Sequence, residues 1–121
     1  SEEVASEEIG LCARTNAAAQ QLRNALEQGG VSVSDGEDGK SGVYVGTMHK
    51  MKGLEFRCVA IVDASSASVP EPKAVTPEEE DPLKHAQDLQ RERCLLYVAA
   101  TRAREQLLVS YAGSPSELLP L

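Results

Sequence analysis

Tryptophan is absent from this 121-residue chain, and one phenylalanine and three tyrosines are its only aromatic residues. A core so poor in rings has to use the few it has, so Phe56 and Tyr97 are expected inside. Cysteine is scarce too. Cys12, Cys58 and Cys94 are odd in number, widely spaced and set in apolar runs, which excludes a secreted disulfide framework and a CxxC metal knuckle and predicts buried free thiols. No apolar stretch approaches the ~20 residues of a membrane span, and no N-terminal signal pattern is present; the expectation is a soluble, cytoplasmic chain with no membrane partner. The balance of charge is acidic, −7 overall, which excludes a uniformly basic nucleic-acid-binding face.

The distribution of charge says more than its sum. Residues 42–62 set Lys50, Lys52 and Arg57 against Glu55, and residues 91–104 set Arg91, Arg93, Arg102 and Arg104 against Glu92. These segments are net +2 and +3, so the remainder carries −12. Much of that sits in Glu2, Glu3, Glu7 and Glu8 and in the run Glu78–Asp81. Two basic islands in an acidic shell suit a protein that meets phosphates along one edge.

The length allows one domain, residues 1–121, with one core. Residues 1–8 are polar and expected to fray. IGLCAR (9–14) reads as a buried strand, Thr15 or Asn16 as a helix cap, and Ala18, Leu22, Ala25 and Leu26 as one helical face that ends at Gly29-Gly30. VSV (31–33) is a short strand, followed by a polar glycine-rich loop over 34–42. VYVGT (43–47) and CVAIVD (58–63) are β-rich runs apolar on both faces, as in a covered parallel sheet. Four prolines at 70, 72, 77 and 82 make 64–82 a surface loop. A helix is predicted from Pro82 to about Ala103 with Leu89, Leu95, Leu96, Val98 and Ala99 buried, then a strand QLLVSY (106–111) and a short helix from SPSELL. Alternating strands and helices predict an α/β fold with a mostly parallel sheet flanked by helices.

Ligands of such sheets gather beyond the carboxyl ends of the strands, and two polar segments are read there. GTMHKMKGLEF (46–56) supplies a hydroxyl, an imidazole, two ammonium groups, a glycine and a carboxylate, a set able to hold phosphate oxygens and sugar hydroxyls. QRERCLLYVAATRARE (90–105) ends an apolar helix in Arg102, whose planar fork suits charge developing on a transferred phosphoryl group. Taken singly the residues are less telling. Lys52 and Glu55 would read as a solvated pair contributing at most ~1 kcal/mol, Arg102 as a surface charge balancing Glu105, His49 as a hydrogen-bonded loop residue, and His85 as having no role beyond its helix.

Together the strings carry a resemblance. T-x-H-x-x-K-G-L-E-F before an apolar strand resembles motif V, and R-x-R-x-L-L-Y-V-A-x-T-R-A motif VI, of UvrD/Rep-type superfamily 1A DNA helicases; LCARTNAAAQQLRNAL resembles the segment that opens the second half of the same motor. The likeness runs over residues 9 to about 119. It implies a RecA-like, P-loop-NTPase-type C-terminal domain (2A) of an ATP-dependent single-stranded DNA translocase. On that likeness Glu55 hydrogen-bonds the nucleotide ribose, Gly53 permits close backbone approach, and Arg102 is the arginine finger. Thr47 and His49 face the DNA backbone, and Arg14, Thr15 and Asn16 line the same track. The implied partners are single-stranded DNA and the N-terminal RecA-like domain, which would hold most of the ATP and its Mg2+. No G-x-x-x-x-G-K-[ST] loop occurs, so the chain alone is expected not to turn over ATP. The loop 34–42 stands where the family carries a large insertion. A non-catalytic helicase-like interaction module and the motor part of a helicase-nuclease are the rival readings.

Overall fold

The computed structural model describes residues 4–34 and 41–119, so most of the predicted 34–42 loop lies outside the described residues. Five strands form one sheet in the order β2-β3-β1-β4-β5, with every neighbouring pair parallel: β1 (Ile9–Ala13), β2 (Val33–Ser34), β3 (Val43–Thr47), β4 (Phe56–Ile61) and β5 (Ala103–Val109). The two longer helices are α1 (Asn16–Gln28) and α2 (Pro82–Ala100). The α/β, RecA-like reading of the sequence therefore holds.

Local chemistry sets the ends of both helices. Thr15 is extended and its Oγ1 accepts from the Ala18 N–H at 3.1 Å, which starts α1. Gly30, at φ +85°, turns the chain away after it. Asp81 does the same work for α2, accepting from the Lys84 N–H at 3.0 Å, with Pro82 in the first turn, where no N–H is missed. Leu22 and Leu26 of α1 pack on Val33, Val43 and Val45. On the α2 side, Leu96 and Ala99 close over Cys12, Tyr44, Phe56, Val59 and Ile61. Phe56 and Tyr44 sit 5.4 Å apart between ring centroids. Gly10 has no alternative there, because a Cβ on it would lie 2.7 Å from the Phe56 ring.

Several expectations need correction. Tyr97 is 69% exposed. The buried residues of α2 are Asp88, Glu92, Leu96 and Ala99, a stripe of i, i+4, i+8, i+11 spacing that turns Tyr97 toward an open apolar groove of about 480 Å³ lined also by Leu107, Tyr111 and Leu118. Of the thiols only Cys12 is buried; Cys58 is half-buried and Cys94 exposed. Burial pushes the Cys12 thiol up to about 12. Ser6–Glu8 form a 3-10 turn. The 64–82 segment is not wholly surface, since Ala64, Ser65 and Val69 are buried. Among the described residues no helix follows β5: Pro115 bridges Ser65 antiparallel and Ser116 turns the chain, accepting from the Leu119 and Leu118 N–H groups. Helix α2 stops at Ala100, and β5 starts three residues earlier than read. No described helix is long and apolar enough to cross a membrane.

Candidate functional site

The second polar segment lies at the carboxyl ends of the strands only where Glu92 meets Arg14, and its far end does not. Helix α2 returns the chain from beyond the end of β4 to the start of β5, so Arg102 sits at the amino-terminal edge of the sheet. The first segment spans both edges. Thr47 ends β3 at the carboxyl edge, and nine residues later, at Phe56, the chain enters β4 at the opposite edge, roughly 17 Å away for a five-residue strand. A 3-10 turn over Met48–Met51 makes this crossing. Its three-residue period puts Met48 and Met51 on one side, both fully buried in the core, while His49 and Lys50 stay exposed. The spacing M-x-x-M was the available signal, and the reading of polar groups passed over it.

At the amino-terminal edge Glu55 and Arg102 come together through the backbone. The Phe56 N–H donates to the Arg102 carbonyl at 2.9 Å, which joins the turn before β4 to the turn before β5. Arg102 lies back on its own helix end: Nε donates to the Val98 carbonyl at 3.0 Å and Nη2 to Thr101 Oγ1 at 3.2 Å. This pairs one of the carbonyls left open at the C-terminus of α2 and fixes the guanidinium at the edge. Arg102 has no carboxylate partner among the described residues. Glu105 pairs instead with Arg57 at 2.9 Å, and Arg57 also reaches Glu8 at 3.5 Å. Glu55 pairs with Arg104 at 3.4 Å rather than with Lys52, both side chains being more than half exposed. Gly53 is at φ +82° with open space where a Cβ would stand; the backbone conformation is what requires glycine here.

At the carboxyl edge, Thr47 lies beside Ala13 in register and is 7% exposed, whereas His49 and Asn16 are exposed. Thr15 spends its oxygen on the α1 cap. Arg14 is engaged within the domain. Its Nε and Nη2 donate to the two oxygens of Glu92 at 2.8 and 2.6 Å, with side-chain exposures of 11% and 4%. The Glu92 Oε1 also accepts the Glu71 N–H at 2.9 Å. Burial pushes the Glu92 carboxyl up, but hydrogen bonds from Arg14 and the Glu71 backbone, with the nearby charges of Arg14 and His49, hold it below the usual range on balance. One turn earlier, Asp88 accepts the Thr76 N–H at 2.9 Å and Arg91 Nη1 at 2.9 Å. Chiefly the Thr76 bonds bring its carboxyl down to about 2. Sequence reasoning missed both carboxylates; their i, i+4 spacing on the buried stripe was the signal.

A family model described as the UvrD-like helicase C-terminal domain matches residues 4–114. The ATP-dependent DNA helicase PcrA of Staphylococcus aureus is 38% identical over 80 residues, 66% of this chain, and that of Staphylococcus epidermidis 36% over 78 residues, 64% of this chain. In each case the chain spans about 10% of the relative's length. Among solved structures, the C-terminal domain of a possible DNA helicase from Lactobacillus plantarum WCFS1 superposes with a TM-score of 0.65 at 26% identity, covering 94% of this chain and 62% of that one. The all-parallel sheet, the two motif segments and these likenesses agree, and the chain belongs to the UvrD-like helicase C-terminal domain family.

Proposed function

We propose that this chain is the second motor domain of an ATP-dependent single-stranded DNA translocase, forming one wall of an ATP cleft whose phosphate loop and Mg2+ site belong to a partner domain. The observation that carries the reading is the meeting of Glu55 and Arg102 at one exposed edge through the Phe56–Arg102 backbone bond. The geometry suits the roles. Glu55 is exposed, with two oxygens able to accept from ribose hydroxyls once Arg104 moves aside. Gly53 leaves open space beside it. Arg102 carries a fixed positive charge that no carboxylate neutralises among the described residues, as a group reaching a γ-phosphate across a cleft requires.

The opposite edge supplies half of a strand track. His49 and Asn16 are exposed there, beside the N-terminus of α1, and Thr47 and Thr15 lie just beneath. Arg14 acts from behind this edge, through Glu92. When ATP bridges the two motor domains it draws them together, and hydrolysis releases them, so the grip on the strand shifts each cycle. The test is Arg102→Ala in the full-length protein. Arginine fingers are worth roughly 10³- to 10⁵-fold in rate, so ATP turnover should fall by about that much while strand affinity changes little. Turnover at the wild-type rate would remove the assignment.

A further inference from the structure

Resting on that functional reading, we propose that Glu92 is the positioning residue that couples the two edges, linking strand binding at the carboxyl edge, through Arg14 behind it, to the helix that carries Arg102. Three segments distant in sequence meet on its carboxylate: Arg14 after β1, the Glu71 backbone in the loop, and α2 itself. His49 lies close enough to lower its proton affinity. Of the five residues that the resemblance assigns to the track, Arg14 is thus bound directly to one buried carboxylate, 4% exposed.

Helix α2 is a strut. Its 19 residues span about 28 Å, and Arg102 lies ten residues, about 15 Å, beyond Glu92. The N-terminal half is clamped at two levels, by Asp88 to Thr76 and by Glu92 to Glu71 and Arg14. The C-terminal end is held by Leu96 and Ala99 in the core and ends in the Arg102 bonds. A shift of the segment that follows β1, as a strand engages the edge, therefore passes into α2 by a two-pronged, desolvated pair rather than by soft contact. Such a fork transmits direction as well as distance, which a single ion contact does not.

The experiment measures single-stranded DNA affinity of the full-length protein with and without a non-hydrolysable ATP analogue. Coupled sites commonly change each other's affinity about 5- to 150-fold, and the wild type should fall in that range. Glu92→Gln removes the charge and turns an amide N–H toward Arg14. Glu92→Asp keeps the charge but is one methylene too short to span both Arg14 and the Glu71 N–H. Either variant, shown folded by circular dichroism, should collapse the ratio to below about twofold while strand affinity without nucleotide stays within about threefold of wild type. A folded variant that keeps the wild-type ratio overturns the inference. So does a variant that loses strand affinity equally with and without nucleotide, which marks a purely structural role. A wild-type protein that binds neither strand nor nucleotide overturns the functional reading itself, and its failure is read without any variant.

Discussion

Replacing Glu92 by alanine should strongly destabilise this fold, and the size of the loss can be worked from the site. The substitution removes an acceptor of three hydrogen bonds, two from Arg14 and one from the Glu71 N–H. It leaves a guanidinium only 11% exposed without its hydrogen-bonded carboxylate, Glu71 being the negative charge that remains nearby. Breaking one side of a buried ion pair costs about 3–5 kcal/mol, because the orphaned charge keeps its desolvation penalty. A domain of this size is stable by roughly 5–15 kcal/mol, so a large share is lost. In urea unfolding at an m-value near ~2 kcal/mol/M, the midpoint should fall by about 2 M with m unchanged. The paired change Arg14→Met with Glu92→Leu should recover most of the loss, since replacing both partners by apolar groups of similar volume is often neutral. A midpoint shift in Glu92→Ala under ~0.3 M would refute the reasoning, for it would mean that water reaches the pair and screens it as on a surface.

Glu55→Ala in the full-length protein should weaken nucleotide binding with strand affinity unaltered; nucleotide titration showing wild-type affinity would count against the ribose contact. Asp88 gives an acid signature. Its carboxyl falls from an ordinary 3.8 to about 2, so its contribution is fully present above about pH 4 and lost as pH falls toward 2; Asp88→Asn should flatten that part of the melting-temperature profile, and an unchanged profile would refute the role. Asp63 stands at φ +62° and accepts from Ser65 Oγ and Ser68 Oγ at 2.6 and 2.7 Å. Asp63→Ala, losing two charge-assisted bonds at a left-handed position, should cost about 2–3 kcal/mol in urea unfolding. A loss below ~0.5 kcal/mol would show that those bonds are made equally well in water.

The strands and helices were legible because their signals are local. Runs such as VYVGT and CVAIVD are apolar on both faces, Thr15 and Asp81 carry cap oxygens, and Gly29-Gly30 ends a helix whatever surrounds it. What failed depended on neighbours distant in the chain. Tyr97 reads as core from scarcity of aromatics, yet its place is decided by the 88-92-96-99 stripe, which turns the ring into the groove beside β5. SPSELL has helix formers, but the Ser65–Pro115 bridge holds its start extended.

For the site, identity was legible and placement was not. Motif residues are recognisable because their types and spacing match a pattern, but a pattern does not say which end of a sheet each residue occupies. Carboxyl-edge binding is the rule for a ligand lying in a crevice of its own sheet. On the proposed reading the domain presents an arginine to a nucleotide held elsewhere and is under no such constraint; the return of α2 delivers Arg102 to the amino-terminal edge. Arg14 shows the same limit from the other side. The resemblance sets it with Thr15 and Asn16 along the strand track, while the residue that claims its charge, Glu92, lies 78 positions away. On the proposed reading, with the two edges this far apart, any communication between strand and nucleotide has to cross the domain. Helix α2 is one of the elements that run between them, and it is tied at its middle and at its C-terminal end, which makes the buried carboxylate at its middle a place where that communication can be cut without touching either ligand.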